Sequence, residues 1–216
     1  MQERAAKTRQ AVLEAAAEEF AEQGYEGASL HQVARRATTS VGSLTFHFRT
    51  KTALAHEVRV TGRTRLEHGL RDLAPAADPL YELRTLLARL AGLVREDRFV
   101  RAARRLETDC PQGAQPLSRI WLPPLRTLVD RSCRARRLRP GVSYEDAVTL
   151  LVHLARGTLT AHDVTGEADD LGGAGEADWD AVWDIVLHGL AADLPEHPDL
   201  PEQPDLPEQP GRTDRP

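Results

Sequence analysis

One stretch limits the fold more than any other: ASLHQVARRATTSVGSLTFHFRTKTAL, from Ala28 to Leu54. It holds two short segments of helical spacing separated by a three-residue turn. Ser29 and Gln32 form an S-x-x-Q capping box, in which each side chain satisfies the other residue's free N–H. Leu30, Val33, Ala34 and Ala37 make the buried side of this first short helix. Thr38 and Thr39 form the turn, and Ser40 is the N-cap of a second short helix over residues 41–48. Leu44 and Phe48 are expected to point inward, leaving Val41, Ser43, Thr45 and His47 toward the outside. A longer helix precedes the pair over residues 4–23, its inner face made by Val12, Leu13, Ala16, Ala17 and Phe20. Gly24 ends it, because glycine enters left-handed backbone at little cost. A long helix followed by two short ones across a tight turn is helix-turn-helix geometry, which lays its last helix in a DNA major groove.

The rest of the chain is also helical in spacing, and no alternating strand pattern is convincing. A fourth helix is expected from residue 50 or 51 to 73, where Pro75 and Pro79 break the chain. Further helices are expected over residues 79–96, 98–108, 116–138, 143–165 and 178–192. Pro111, Pro116 and the Pro123-Pro124 pair are expected to interrupt or kink this body. Gly172, Gly173 and Gly175 mark a loop. In the last helix Trp179, Val182, Trp183, Val186, Leu187 and Leu190 form one wide apolar stripe. Such a stripe packs inside its own subunit or forms a dimer interface, and the sequence favours neither. Three proline-bearing hexapeptide repeats then follow to Pro210, so residues 194–216 are expected to be a disordered acidic tail. The fold class is all-α: a helix-turn-helix domain over residues 1–50, a helical ligand-binding and dimerisation domain over 51–193, and the tail.

Composition narrows the function. The 216 residues are 41% hydrophobic, enough for a sizeable core. No apolar run approaches the roughly 20 residues that span a membrane, and the first residues show no secretory signal. A cytoplasmic, nucleoid-associated protein is expected. The net charge of −5 conceals an asymmetry: residues 1–162 carry 26 basic and 18 acidic side chains. A basic body is compatible with a polyanionic partner. Arg4, Lys7 and Arg9 cluster at the start of the first helix, placed to meet a DNA backbone. Ser40 offers a hydroxyl and free amides to a phosphate, and Lys51 adds a cation beside it. Cys110 and Cys133 are too few for a disulfide framework or a zinc site. The eight histidines show no metal-ligand spacing. No phosphate loop, dinucleotide fingerprint or nucleophile elbow is present. No metal, no cofactor and no enzymatic activity are therefore expected.

Together these residues resemble the N-terminal signature of TetR-family regulators, a Gly-x-Leu-Tyr-x-His/Tyr-Phe core followed by Lys and Leu. Gly42, Leu44, His47, Phe48, Lys51 and Leu54 match its spacing, and AVLEAAAEEFAEQGYEGASL resembles the family's first helix and Gly-Tyr turn. The likeness covers residues 5–56. It implies a homodimer that binds a double-stranded DNA operator through Arg4, Lys7, Ser29, Ser40, Val41, Ser43, Thr45, His47 and Lys51. Four positions depart from the pattern. Thr38 stands where glycine is usual, Thr39 where valine is frequent, Thr45 where a phosphate-contacting tyrosine is usual, and Val41 where a basic residue is common. The change either retunes DNA binding or weakens it.

Within the family, TFHFRTKTALAHEV, PLSRIW and WDIVLHGL are similar to the γ-butyrolactone receptor group. That likeness implies a repressor released by a lactone autoregulator and governing secondary metabolism, with Trp121 covering the ligand and the Gly157-Thr158 pair lining the pocket. The residues themselves offer an apolar wall including Leu86 and Leu90, and a hydroxyl at Thr158, as a mostly apolar ligand site needs. A leucine stripe is equally the signature of an ordinary core. Two alternatives stand beside this reading: a drug or metabolite sensor controlling an efflux gene, and a small-molecule-binding protein with weakened DNA binding.

Overall fold

The computed structural model describes residues 2–71, 73, 75–110, 115–160 and 179–192, without the side chains of 2, 158–160 and 179–180. The helices are α1 (Gln2–Gly27), α2 (Leu30–Arg36), α3 (Val41–His47), α4 (Lys51–Arg71), α5 (Pro79–Glu96), α6 (Arg98–Asp109), α7 (Ser118–Arg134), α8 (Tyr144–Thr160) and α9 (Trp179–Leu190). Among the described residues the sole β feature is an isolated bridge between Leu138 and Ala191.

Small residues decide how these helices meet. Ala15, Ala16 and Ala17 are buried on the inner face of α1, which packs closely on α6. Gly62 does the same for α4. A Cβ there would overlap the Phe99 carbonyl and come within 2.7 Å of the Ala103 Cβ, so only glycine permits this crossing of α4 and α6.

The apolar side chains form two cores. The first joins Val12, Phe20, Val33 and Leu44 of α1–α3 to Leu54 and Val58 of α4, and to Phe99, Ala102 and Leu106 of α6. The second gathers Leu83, Leu87, Trp121, Leu125, Leu151 and Trp183 of the body, and again takes residues from α4 (Leu66) and α6 (Val100, Ala103). Two helices therefore belong to both cores. The helix-turn-helix core extends beyond residue 50 into α4 and α6.

Gly24 ends the regular run of α1 as expected, with φ +69° and ψ −176°, and a short helical turn continues from there to Gly27. Two expectations change against the structure. Pro123 and Pro124 do not interrupt the body, since α7 runs through both. Two prolines remove two helical N–H donors, at about 3 kcal/mol each. Burial of Trp121, Leu125, Leu128 and Val129 on one face of α7, at about 2 kcal/mol per side chain, offsets this. Finally, Trp183, Leu187 and Leu190 of the terminal stripe are buried in their own subunit's core, against α5. For these three the packing reading holds rather than the dimer-interface reading. Val182 and Val186 are half-buried, and Ile185 is the exposed large hydrophobic side chain among the described residues of α9, at 73%. The side chain of Trp179, the loop at Gly172, Gly173 and Gly175, and the repeat tail lie outside the described residues.

Candidate nucleic-acid interface and internal cavity

The turn between α2 and α3 closes by a paired hydrogen-bond pattern. Thr39 N–H donates to the Ala34 carbonyl at 2.9 Å and Thr38 N–H to the Arg35 carbonyl at 3.1 Å. This Schellman closure needs a left-handed residue at Thr38, and Thr38 has φ +51°. A β-branched side chain is strained there, and glycine is the usual solution. The sequence therefore holds the reading-head geometry with a residue that resists it.

Ser29 Oγ accepts from Gln32 N–H at 3.2 Å, as a cap should. The other half of the expected box differs: the Gln32 side chain accepts from the Ser29 hydroxyl instead of reaching the Ser29 N–H. Ser40 caps α3 by accepting from Ser43 N–H at 3.1 Å. Its oxygen is committed to the helix, so a phosphate would meet the free amides at the start of α3. Thr45 donates to the Gly42 carbonyl at 3.1 Å, which turns its hydroxyl back onto α3.

Within α3, Leu44 and the C-capping Phe48 point inward. Val41, Ser43, Thr45 and His47 are half-buried flanks rather than the outermost positions. The outermost side chain is Phe46, 82% exposed, with the His47 ring set edge-on at 5.3 Å. Sequence reasoning missed it because a phenylalanine two residues before the inward Phe48 carries no signal of its own.

The cations divide into engaged and unengaged sets. Lys51 is engaged: its ammonium lies 4.6 Å over the Tyr25 ring and donates to the Glu26 carbonyl at 3.3 Å. Arg9 pairs with Glu57 and covers Phe48, and Lys7 pairs with Glu3 on an exposed surface. Arg36 binds Glu18, Glu19 and Glu22. Its guanidinium holds the Glu22 carboxyl below the usual glutamate range, chiefly by hydrogen bonding. Exposed Arg4, Arg35 and Arg49 have no ion-pair partner among the described residues. Arg35 and Arg49 flank α3 and add cations that the motif did not signal.

The body contains a cavity of about 380 Å³. Its walls include Leu66 of α4, Leu90 and Val94 of α5, and Trp121 of α7. α6 contributes Val100, Arg104, Glu107 and Thr108. Trp121 is 2% exposed, and its indole N–H has no hydrogen-bond partner among the described residues. An unmade bond to a buried donor costs about 1–3 kcal/mol, and a ligand acceptor in the cavity would recover it. Leu86 is buried in the surrounding core and is not one of the lining residues; Thr158 belongs to α8, with its side chain outside the described residues. Arg104, Glu107, Thr108 and Arg156 were not foreseen, since charged residues on a helix usually read as a solvated face. A second cavity of about 330 Å³ lies on the α4 side, shares Glu107 and Leu117 with the first, and is lined by His56, Arg59 and Arg63.

A short relay joins α6 to the reading head. Asp109, the last residue of α6, accepts from Tyr25 N–H at 2.7 Å. Gly24 makes room for that carboxylate, which any Cβ there would strike. The Tyr25 hydroxyl then meets Thr52 Oγ1 of α4 at 2.9 Å, and its ring lies under Lys51. From the opposite side, Arg59 of α4 donates to the Leu106 and Cys110 carbonyls at the end of α6. No group of three or more possible metal ligands occurs among the described residues, and none of their helices is long and apolar enough to cross a membrane.

Comparison with known proteins places this geometry. Residues 12–58 match the family described as bacterial regulatory proteins, tetR family. The A-factor receptor protein of Streptomyces griseus is 31% identical over 108 residues, which span 50% of this chain and 37% of the receptor. A solved structure presented as the molecular basis for control of antibiotic production by bacterial hormones is 30% identical, with a TM-score of 0.62. The likeness covers 86% of this chain and 98% of that one. A γ-butyrolactone receptor described as ArpA-like shares the fold at a TM-score of 0.63 and 22% identity, over 86% of this chain and 96% of its own.

Proposed function

This chain belongs to the tetR family of bacterial regulatory proteins, and from that premise we propose that it is a transcriptional repressor released from DNA by a γ-butyrolactone-type autoregulator. Two α3 helices of a homodimer enter successive major grooves of a pseudopalindromic operator. The free amides at the start of α3, with Arg4, Arg35 and Arg49, hold the phosphates. The ligand occupies the cavity beside Trp121 and gives its acceptor to the indole N–H. Exposed Leu150 and Ile185, on α8 and α9, support pairing with a second copy. The protein acts in the cytoplasm on the nucleoid, without catalysis.

The observation that carries this reading is the double allegiance of α6. One face lines the cavity through Arg104, Glu107 and Thr108. Another packs the reading head through Phe99, Ala102 and Leu106. A ligand that fits the cavity better in one setting of α6 shifts the population toward that setting, and with it the spacing of the two α3 helices. Neither an efflux-linked sensor nor a module without DNA binding is favoured by a specific feature. The test is a gel shift of the full chain on DNA upstream of its own gene, at low salt. A shifted band abolished by a long-chain γ-butyrolactone is expected; no shift at low salt would sink the proposal.

A further inference from the structure

We infer that Phe46 is a specificity-determining residue that reads the C5-methyl group of a thymine in each operator half-site. This rests on the DNA-binding reading above and deepens it. α3 is VGSLTFH, with no Arg, Lys, Asn, Gln, Asp or Glu. Those six residue types supply the strong hydrogen-bonded discrimination of base edges in the major groove. The capping Ser40 is spent on Ser43 N–H and Thr45 on the Gly42 carbonyl, while Ser43 and His47, the other polar side chains of α3, are half-buried flanks. What it presents outward is apolar. Phe46 is 82% exposed, more than any other large hydrophobic side chain among the described residues.

Nothing on the module itself explains that exposure. Leu44 and Phe48 already fill the inner face, and at about 100° per residue Phe46 points nearly opposite to them. A phenyl ring left in water exposes a large apolar area, worth about 2 kcal/mol if covered. In the major groove the apolar feature that distinguishes one base from the other three is the thymine methyl. Exposed Arg35 and Arg49 flank the helix. Placed on phosphates, they position the helix and add affinity without adding sequence information.

The test begins with the full chain and a duplex library with a random core, from which bound sequences are selected at low salt. The enriched duplex is then remade with deoxyuridine replacing each conserved thymine, which removes only the methyl. The expected result is one thymine per half-site whose demethylation weakens wild-type binding about fourfold, or about 15-fold when both half-sites are changed. Phe46→Ala weakens binding to the parent duplex by at least as much, and loses nothing further on the deoxyuridine duplex. Phe46→Leu retains part of the methyl effect. Because the ring is exposed, Phe46→Ala keeps the wild-type melting temperature, so the loss is not one of folding. Demethylation without effect at every thymine would overturn the inference, as would methyl and ring losses that simply add. Failure of any duplex to enrich would instead refute the DNA-binding reading on which the inference rests.

Discussion

The reading head and the body are built from the same helical grammar and end in opposite states. α1 to α3 close on a filled core whose caps and turns are made by Ser29, Ser40, Thr38 and Thr39. The body buries more apolar side chains and still leaves a cavity of about 380 Å³ beside an indole N–H without a partner. Filled interiors transmit displacement because they resist deformation. Hollow ones change shape when something enters. Under the proposed function the contrast divides sensing from reading, and the shared helices α4 and α6 couple the two.

The largest effect is expected where the two regions are pressed together. Gly62→Val drives a branched side chain into the Phe99 carbonyl and should destabilise the fold by about 3 kcal/mol, read as a lower urea midpoint. If the midpoint stays put, α4 and α6 are not in the close contact described. Removing the Asp109 acceptor is the next step down. Asp109→Ala removes the charged acceptor of Tyr25 N–H at a solvent-accessible site and should cost about 1.5 kcal/mol. Hydrogen exchange should locate the loosening at the end of α1, with the body's protection unchanged; uniform loss of protection would deny the relay its local character.

A smaller effect, of opposite sign, belongs to the turn. Thr38→Gly relieves a left-handed β-branched residue and should stabilise the reading head by about 1 kcal/mol, seen as a raised melting temperature. A lowered one would show that the threonine side chain makes a compensating contact.

The smallest expected effect concerns acid. Arg131 donates to Glu82 through Nη1 and Nη2, at 2.8 and 2.9 Å, and with the Ala76 N–H holds its carboxyl below the usual glutamate range. A carboxylate depressed in the folded state contributes stability that is complete above its unfolded pKa. That contribution is lost as pH falls through the folded value. Glu82→Gln should therefore be less stable at neutral pH and show a shallower decline below the ordinary glutamate value. Equal slopes for both proteins would remove Glu82 from the acid response.

Legibility followed the same divide. The reading head was visible in the sequence because its constraints are local: a cap, a turn and an inward leucine lie within a few residues of each other. Even there Phe46 was invisible, since exposure depends on which face its neighbours have already filled. In the body, Leu86, Leu90 and Trp121 all read as candidate lining residues, but only three-dimensional packing separates a leucine beside a cavity from one in the wall behind it. Pro123 and Pro124 misled for a related reason, because a helix held by tertiary burial tolerates lost hydrogen bonds. Glu107 and Asp109 accept from Leu117 N–H and Tyr25 N–H, partners on other elements that no spacing announces.

The central claim is that filling the cavity changes the grip on DNA. It is tested most directly by fluorescence anisotropy of the full chain on DNA from upstream of its own gene, titrated with a long-chain γ-butyrolactone. Wild-type protein should release the DNA as the ligand binds. Trp121→Phe, which keeps an aromatic ring and deletes the indole N–H, should bind DNA normally and need about tenfold more ligand for release. Ligand that quenches the tryptophan fluorescence of the wild type but not of Trp121→Phe, while leaving DNA affinity unchanged, would contradict the account.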